Sequence, residues 1–212
     1  GRCYRLGRWH AHRRSIQNEP GHSDSYSSVV RTGVIAEILL SEEQIQARIR
    51  QLGQEITQAY EGQQLLLVGI LKGAAMFMMD LIRTIELQLA IDFMAVSSYG
   101  AATESSGVVR ILKDLDSALE GRHVVLVEDI VDSGLTIAYV LDMLRRRRPA
   151  SLKVCALLVK EKAAAAGLRT DFLGFTIPDK FVVGYGLDFD EQYRNLRYVG
   201  VLAGSEQAAR SG

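Results

Sequence analysis

The sequence lacks the features that mark several broad classes of protein. Its 25 basic residues are balanced by 25 acidic residues, so no excess of positive charge is present to bind nucleic-acid backbones. The longest apolar run, Leu65–Leu71, is far shorter than the roughly 20 residues that span a membrane. Cysteine is scarce, and Cys155 lies in an apolar run, where a thiol behaves as a small buried hydrophobe. We therefore expect a cytoplasmic protein that binds neither nucleic acid nor membranes.

The chain does contain enough apolar material for one folded domain. It has 212 residues, of which 48% are hydrophobic, as is typical of one globular domain with a real core. Residues 1–33 differ from the rest, because they carry six arginines against two acids and show no apolar periodicity. We predict a poorly ordered basic extension over 1–33, a domain over 34–202 and a tail over 203–212. Three histidines of the extension lack the cysteine or carboxylate partners of metal sites, and we do not expect them to bind metal: His10, His12 and His22.

Strands and helices alternate along the remainder of the chain. Ser41 and Gln44 have the spacing of a capping box, and the apolar residues that follow predict an amphipathic helix. The run Leu65–Leu71 is typical of a strand that is covered on both faces. Further helices are predicted over 74–86 and 137–144, and further strands over 87–93, 124–127, 152–159, 172–177 and 181–183. This order predicts an α/β fold with a mostly parallel, doubly wound sheet, whose ligands bind beyond the carboxyl ends of the strands.

The turn after the strand over 124–127 is the most informative segment. Residues 125–136 read VLVEDIVDSGLT, in which a helix start with Ser133, Gly134 and Thr136 predicts a cradle for a phosphate group. The adjacent acids Glu128 and Asp129 can accept hydrogen bonds from a ribose diol or attract Mg²⁺. Alone, such acids are more often solvated, and Ser133 has the alternative role of an ordinary helix cap. The complete string favours recognition of ribose 5-phosphate.

This string resembles the 5-phosphoribosyl-1-pyrophosphate (PRPP) signature of the type I phosphoribosyltransferases. LLLVGILKG, residues 65–73, is similar to the first strand and pyrophosphate loop of that family, and PDKFVVGYGLDFDEQYR, residues 178–194, is similar to the purine-binding hood of its hypoxanthine or hypoxanthine-guanine members. The resemblance implies the type I phosphoribosyltransferase fold, with a small hood built mainly from residues 172–200 and the N-terminal part. It also implies Mg²⁺-dependent transfer of phosphoribose from PRPP to hypoxanthine, with guanine as an alternative base, to give IMP or GMP and pyrophosphate in a homo-oligomer, a dimer or tetramer.

The resemblance also assigns roles to single residues. Asp132 is implied as the general base near purine N7, and Lys160 as a donor to purine O6. Phe181 is implied to stack on the base and the Val182 backbone to bond its edge. Asp188 is implied to meet Mg²⁺, as are Glu128 and Asp129. On their own, Lys160 and Phe181 have the plainer interpretations of a strand-end lysine and a core aromatic.

The remaining implied contacts concern pyrophosphate and a lid. Lys72, Gly73 and Arg194 are implied to hold pyrophosphate, with a cis peptide bond before Lys72. Leu135 completes the phosphate turn, at a place where some members of the family carry lysine. Ser98 and Tyr99, followed by the small residues 100–107, are similar to the family's mobile loop, although an ordinary flexible hairpin has the same composition.

Two other functions are open at this point. A regulator with the same fold would bind PRPP without turnover and would need a basic recognition face, which the domain lacks, since outside residues 1–33 its acidic residues outnumber its basic ones by 23 to 19. A transferase for xanthine or another base is the second alternative. The four arginines at 145–148 precede Pro149, and we interpret them as a solvated helix end rather than a phosphate site.

Overall fold

The structure is a computed structural model that describes residues 35–98, 109–167 and 169–203. The predicted extension over 1–33 with its three histidines lies outside these ranges, as do Tyr99, the small residues 100–107 and nearly all of the predicted tail. Those expectations therefore stay predictions.

A six-stranded sheet forms the centre of the described chain. Its strands span β2 Leu65–Leu71, β3 Leu89–Ser98, β4 Val109–Lys113, β5 His123–Val131, β6 Ser151–Lys160 and β7 Phe172–Ile177. They lie in the order β4-β3-β2-β5-β6-β7. The five strands other than β4 run parallel to one another, and the edge strand β4 runs antiparallel to β3. The mostly parallel α/β sheet predicted from the sequence is therefore present.

Helices cover both faces of this sheet. They span α1 Glu42–Ala59, α2 Ala74–Ile82, α3 Leu135–Arg145 and α4 Glu161–Ala165. Alternate residues of the central strands enter two separate apolar clusters, one with α1 and α2 and the other with α3 and α4. This arrangement follows from the period of two along a strand, which sends successive side chains to opposite faces. The capping box at Ser41 and Gln44 is confirmed at the start of α1.

A separate three-stranded sheet has the order β1-β9-β8, with β1 Ile35–Leu40, β8 Val182–Val183 and β9 Val199–Leu202. We call this sheet, with residues 178–198, the hood. Phe172–Ile177, which the sequence assigned to the hood, instead pairs with β6 in the large sheet. The hood thus begins after β7 and takes its remaining strand from the N-terminal side of the domain.

The structure agrees with the sequence on the surroundings of three features: the strand β2, Cys155 and the arginines at the end of α3. Every residue of β2 except Leu71 is buried, and Cys155 is buried in β6, where burial raises the pKa of its thiol. The arginines after α3 lie at a largely exposed helix end, and three of them pair with acids: Asp142, Asp114 and Glu120. Within the described ranges, no helix is long and apolar enough to cross a membrane.

Candidate active site

Loops that follow three neighbouring parallel strands meet at the carboxyl edge of the large sheet, beneath the hood. They are the turns after β2, β5 and β6. Two adjoining cavities lie there, of about 320 and 260 Å³. The first, which we call the lysine cavity, includes Lys72, Lys160, Phe181, Asp188 and Arg194 in its lining. The second, the turn cavity, includes Glu128, Ser133, Gly134 and Thr136, and Gly73, Asp129 and Asp132 line both.

The turn after β5 has the backbone of a cradle. Gly134 takes a left-handed conformation at φ 83° and caps α3, a conformation that glycine adopts without a steric penalty. The hydroxyl of Ser133 accepts a hydrogen bond from the Leu135 amide at 3.4 Å. The Leu135 side chain is 63% exposed and is absent from the lining of both cavities. Any contribution of Leu135 to the cradle therefore comes from its backbone.

Glu128 and Asp129 lie inside β5 rather than at its end, because this strand extends to Val131 and not only to residue 127 as the sequence predicts. Burial, followed by the neighbouring charge of Asp129, raises the pKa of Glu128 well above its usual range. Its Oε2 atom is buried and has no hydrogen-bond partner in the described part of the chain. Burial also raises the pKa of Asp129 to about 6, against hydrogen bonds from the Ile130 amide and its own amide that lower it. Desolvated carboxylates of this kind are stabilised when a cation or a hydroxyl donor reaches them.

The described residues contain no cluster of three or more His, Cys, Asp or Glu residues that could hold a metal ion. Of the three carboxylates implied at the metal, Glu128 lines the turn cavity, Asp188 lines the lysine cavity and Asp129 lines both. Mg²⁺ usually takes one or two carboxylates and completes its shell with water and substrate phosphates. The donor set, and the desolvated Asp129 in particular, fits an ion bound in that way.

The turn after β2 is packed tightly against Asp129. The Leu71–Lys72 peptide bond is cis, as the resemblance implies. A Cβ atom on Gly73 would overlap the Asp129 carboxylate, and one on Gly186 of the hood would meet the Gly73 carbonyl oxygen. Glycine at both positions therefore lets the β2 turn, β5 and the hood approach one another.

The two cations expected at pyrophosphate are paired with acids of the hood. Lys72 Nζ lies 2.9 Å from Glu191 Oε2, and this contact lowers the pKa of Glu191. The Arg194 guanidinium lies 2.7 Å from Asp188 Oδ1 and donates to the Gly186 carbonyl at 2.8 Å. The Lys72–Glu191 pair is 64% exposed at both side chains, so solvent and an incoming anion can compete for it.

Lys160 and Asp132, which both line the lysine cavity, form an ion pair. The buried Lys160 ammonium lies 3.0 Å from Asp132 Oδ2 and 3.1 Å from Asp179 Oδ1. Lys162 contacts the same two acids, at 2.7 Å from Asp132 Oδ1 and 3.0 Å from Asp179 Oδ1. Burial tends to raise the pKa of Asp132, but hydrogen bonds from Lys162 and Lys160 lower it on balance. Asp132 is therefore held as a carboxylate.

Phe181 and Val182 form the apolar part of this cavity. The Phe181 ring is 41% exposed and meets Phe189 edge to face, with ring centroids 5.7 Å apart. Val182 is buried in β8. An exposed ring beside a lysine offers a flat apolar surface to a planar ligand, so the structure does not support the interpretation of Phe181 as a core aromatic.

The structure thus brings most of the predicted site residues to the carboxyl edge of the large sheet. Ser98 ends β3 at this edge, and Tyr99 lies outside the described ranges. Sequence reasoning missed Asp179, Glu191 and Lys162. The first two belong to the hood segment 178–194 and could have been found as acids beside implied cations, whereas no motif pointed to Lys162.

Comparison with known proteins agrees with this arrangement. A model of the phosphoribosyl transferase domain matches residues 36–190. The hypoxanthine-guanine phosphoribosyltransferase of Bacillus subtilis is 51% identical over 168 residues, which cover 79% of this chain and 93% of that protein. The protein of the same name from Mycobacterium avium is 55% identical over 176 residues, covering 80% of this chain and 87% of that protein.

A solved structure of a protein with a related sequence has the same fold. The crystal structure of a hypoxanthine phosphoribosyltransferase from Staphylococcus aureus has a TM-score of 0.80 and 46% sequence identity, and the match covers 85% of this chain and 98% of that chain. The resemblance and the fold class predicted from the sequence are therefore confirmed.

Proposed function

This chain belongs to the phosphoribosyl transferase domain family, and from that membership we propose that it transfers the 5-phosphoribosyl group of PRPP to hypoxanthine or guanine. The products are IMP or GMP and pyrophosphate, so the reaction is a step of purine salvage. The observation that carries the proposal is the pairing of Lys160 with Asp132 beside the exposed Phe181 ring. These groups complement a planar base that has an oxygen at C6 and a proton to lose.

The base binds in the lysine cavity. The purine stacks on Phe181, its edge reaches the Val182 backbone, and Lys160 donates a hydrogen bond to O6. As purine N9 attacks C1′ of PRPP, the bond from C1′ to the pyrophosphate oxygen breaks, and the proton that the purine loses goes to the Asp132 carboxylate. Asp132 suits this step because its two lysine partners hold it ionised.

PRPP spans both cavities. Its 5′-phosphate accepts hydrogen bonds from the amides and hydroxyls of the turn at Ser133, Gly134 and Thr136. Its ribose diol donates hydrogen bonds to Glu128 and Asp129. Pyrophosphate draws Lys72 and Arg194 away from Glu191 and Asp188, with which they pair in the structure. Both cations then stabilise the negative charge that develops on the leaving group.

Mg²⁺ would be held by Asp129, Asp188 or both, with Glu128 as a further carboxylate on the side of the ribose. When bound, the ion stabilises negative charge on the pyrophosphate oxygens. Freed from its pair with Arg194, Asp188 becomes available as a ligand. A homo-oligomer and a cytoplasmic location stay predictions.

A spectrophotometric assay with PRPP, Mg²⁺ and each of hypoxanthine, guanine, xanthine and adenine tests the proposal. We expect turnover with hypoxanthine, guanine or both. Adenine should be slower by roughly 10⁴, because the Lys160 ammonium can only donate and would face the 6-amino group unpaired. Comparable use of adenine would contradict the assignment of Lys160. Preference for xanthine would favour the alternative base, and PRPP binding without turnover would favour a regulator.

A further inference from the structure

Lys162 makes contacts that the proposed chemistry leaves without a role. It lies in the second position of α4 and contacts both acids that Lys160 contacts. The shortest of these four contacts is its own, 2.7 Å to Asp132 Oδ1. Its side chain is 46% exposed, against 9% for Lys160. Lys162 is therefore at the outer side of a group of two lysines and two aspartates.

The two lysines divide the oxygens of Asp132 between them. Lys160 takes Oδ2 and Lys162 takes Oδ1, which fixes the plane of the carboxylate. Without Lys162, Oδ1 would be free, and rotation of the carboxylate would let both oxygens face Lys160. An ammonium has three N–H donors, and two of those of Lys160 already face Asp132 and Asp179. A third contact to Asp132 would leave Lys160 no donor for a purine oxygen.

We propose that Lys162 is a positioning residue, which clamps Asp132 Oδ1 so that Asp132 Oδ2 and one donor of Lys160 stay directed at the base. This inference rests on the proposed function, since it concerns the same proton acceptor and the same donor. Lys162 is absent from the lining of the lysine cavity, so it acts through Asp132 rather than on the base itself.

The charges around Asp132 support this role. Lys160 faces it from the end of β6 and Lys162 from α4, while Asp179, in the loop between β7 and β8, shares both lysines. The other charged groups that line the cavity are Lys72, Asp129, Asp188 and Arg194. The pKa of Lys162 is raised, first by its hydrogen bond to Asp132. Loss of Lys162 therefore raises the pKa of Asp132, because one of the two groups that lower it is removed.

The experiment compares Lys162→Met and Lys162→Arg with the parent enzyme. We expect Lys162→Met to reduce kcat with hypoxanthine about tenfold with little change in KM for PRPP, and to move the acidic limb of the kcat/KM profile to higher pH. Lys162→Arg keeps the charge and should recover kcat to within about threefold of the parent. In an Asp132→Asn background, Lys162→Met should cost less than about a further twofold, since the two residues act as one unit.

Lys180→Met is the matched control. Lys180 is 41% exposed, pairs with Glu37 at 2.7 Å and does not line the lysine cavity, so this variant removes one charge from the hood and should retain parental kcat. Parental kcat and pH profile in Lys162→Met would overturn the inference, as would an undiminished tenfold loss in the Asp132→Asn background. Thermal unfolding of each variant shows whether it is folded.

A readout that needs no turnover separates this inference from the proposed function. Carboxyl ¹³C NMR titration gives the pKa of Asp132, whose signal is identified by its loss in Asp132→Asn. A higher pKa of Asp132 in Lys162→Met than in the parent supports the clamp even if the parent fails to use hypoxanthine, a failure that would overturn the proposed function alone. An unchanged pKa overturns the clamp even if the parent is active.

Discussion

Single carboxylates of the site differ in pKa because their partners differ. Glu128 and Asp129 are desolvated in β5, which raises their pKa, whereas the lysine partners of Asp132 and Glu191 lower theirs. Groups whose surroundings separate their pKa values in this way commonly have different roles in one site. Glu128 and Asp129 are suited to contact with a cation or a diol, and Asp132 is suited to accepting a proton.

Asp132→Asn tests the second of these roles. The amide keeps the size and much of the hydrogen bonding of Asp132 but cannot take a proton, so we expect kcat to fall by roughly 10²–10⁴ while the PRPP Kd changes little. Steady-state kinetics and calorimetric titration of PRPP measure the two effects. Asp179→Asn is the control, because Asp179 contacts the same lysines without lining the lysine cavity. Equal losses in both variants would show that lysine pairing, rather than proton transfer, is what Asp132 provides.

Asp129→Asn should stabilise the protein at neutral pH in the presence of EDTA. The folded pKa of Asp129, about 6, is above the ordinary 3.8, so the folded state holds this proton more tightly, and stability falls as the pH rises from about 4 to about 6. Above that range the buried charge costs on the order of 3 kcal/mol. Denaturant unfolding should show Asp129→Asn to be about 1–3 kcal/mol more stable than the parent at pH 7.5, with a gain that shrinks towards pH 4.

The exposed Asp116→Asn is the control for that series, because the Asp116 side chain is 86% exposed, and such a change should be worth less than about 0.5 kcal/mol. A gain in Asp129→Asn that did not depend on pH would contradict the account. PRPP binding should weaken in the same variant, so that stability and function are opposed at this residue.

At the scale of elements, the β2–α2 turn is held by contacts that only glycine permits. Gly73→Ala should push the Asp129 carboxylate aside, because the new Cβ would occupy its place, and we expect PRPP affinity to fall at least about tenfold. Calorimetric titration of PRPP measures this. Gly121→Ala is the control, since Gly121 has φ +71° with nothing within 4 Å of a new Cβ. That variant should lose about 1 kcal/mol of stability and no PRPP affinity. Equal affinity losses would indicate a general loss of folding.

The elements that the sequence predicted are those with strong apolar patterns. The buried strands β2, β5 and β6 could be located from continuous apolar runs, but β5 extends to Val131, because Glu128 and Asp129 join the strand once no solvent competes for its backbone. The sequence did not predict β1, β4, β9 or α4. β1 and β4 are edge strands with one buried residue each, β9 contains a glycine, and α4 has only five residues. Such segments are stabilised by their neighbours rather than by their own pattern.

The same contrast holds within the site. Asp132 to Thr136 form a contiguous motif and could be identified, whereas Lys162 acts through a contact with Asp132 that no spacing in the sequence reveals.

At the scale of the whole molecule, the described domain begins with a strand that the hood needs. Ile35 lies opposite Leu202 in the antiparallel pairing of β1 with β9, so a deletion that ends at residue 33 leaves this pairing intact. We predict that removal of residues 1–33 leaves kcat within about twofold and changes stability by less than about 1 kcal/mol. Kinetics and thermal unfolding of the two chain lengths measure this. Removal of residues 1–40, which includes β1, should destabilise the hood, and a large loss from the shorter deletion would place the extension in the site or in an interface.

The order of the small sheet, with β9 between β1 and β8, has a consequence for synthesis of the chain. During translation, β1 is synthesised before every strand of the large sheet, and its partner β9 is synthesised after all of them. Until Val199–Leu202 leave the exit tunnel, β1 and β8 lack the strand that joins them in the described structure. The nascent chain can therefore form the turn after β5 early but completes the hood last, and a messenger that ends shortly before Val199 encodes a chain whose hood lacks its central strand.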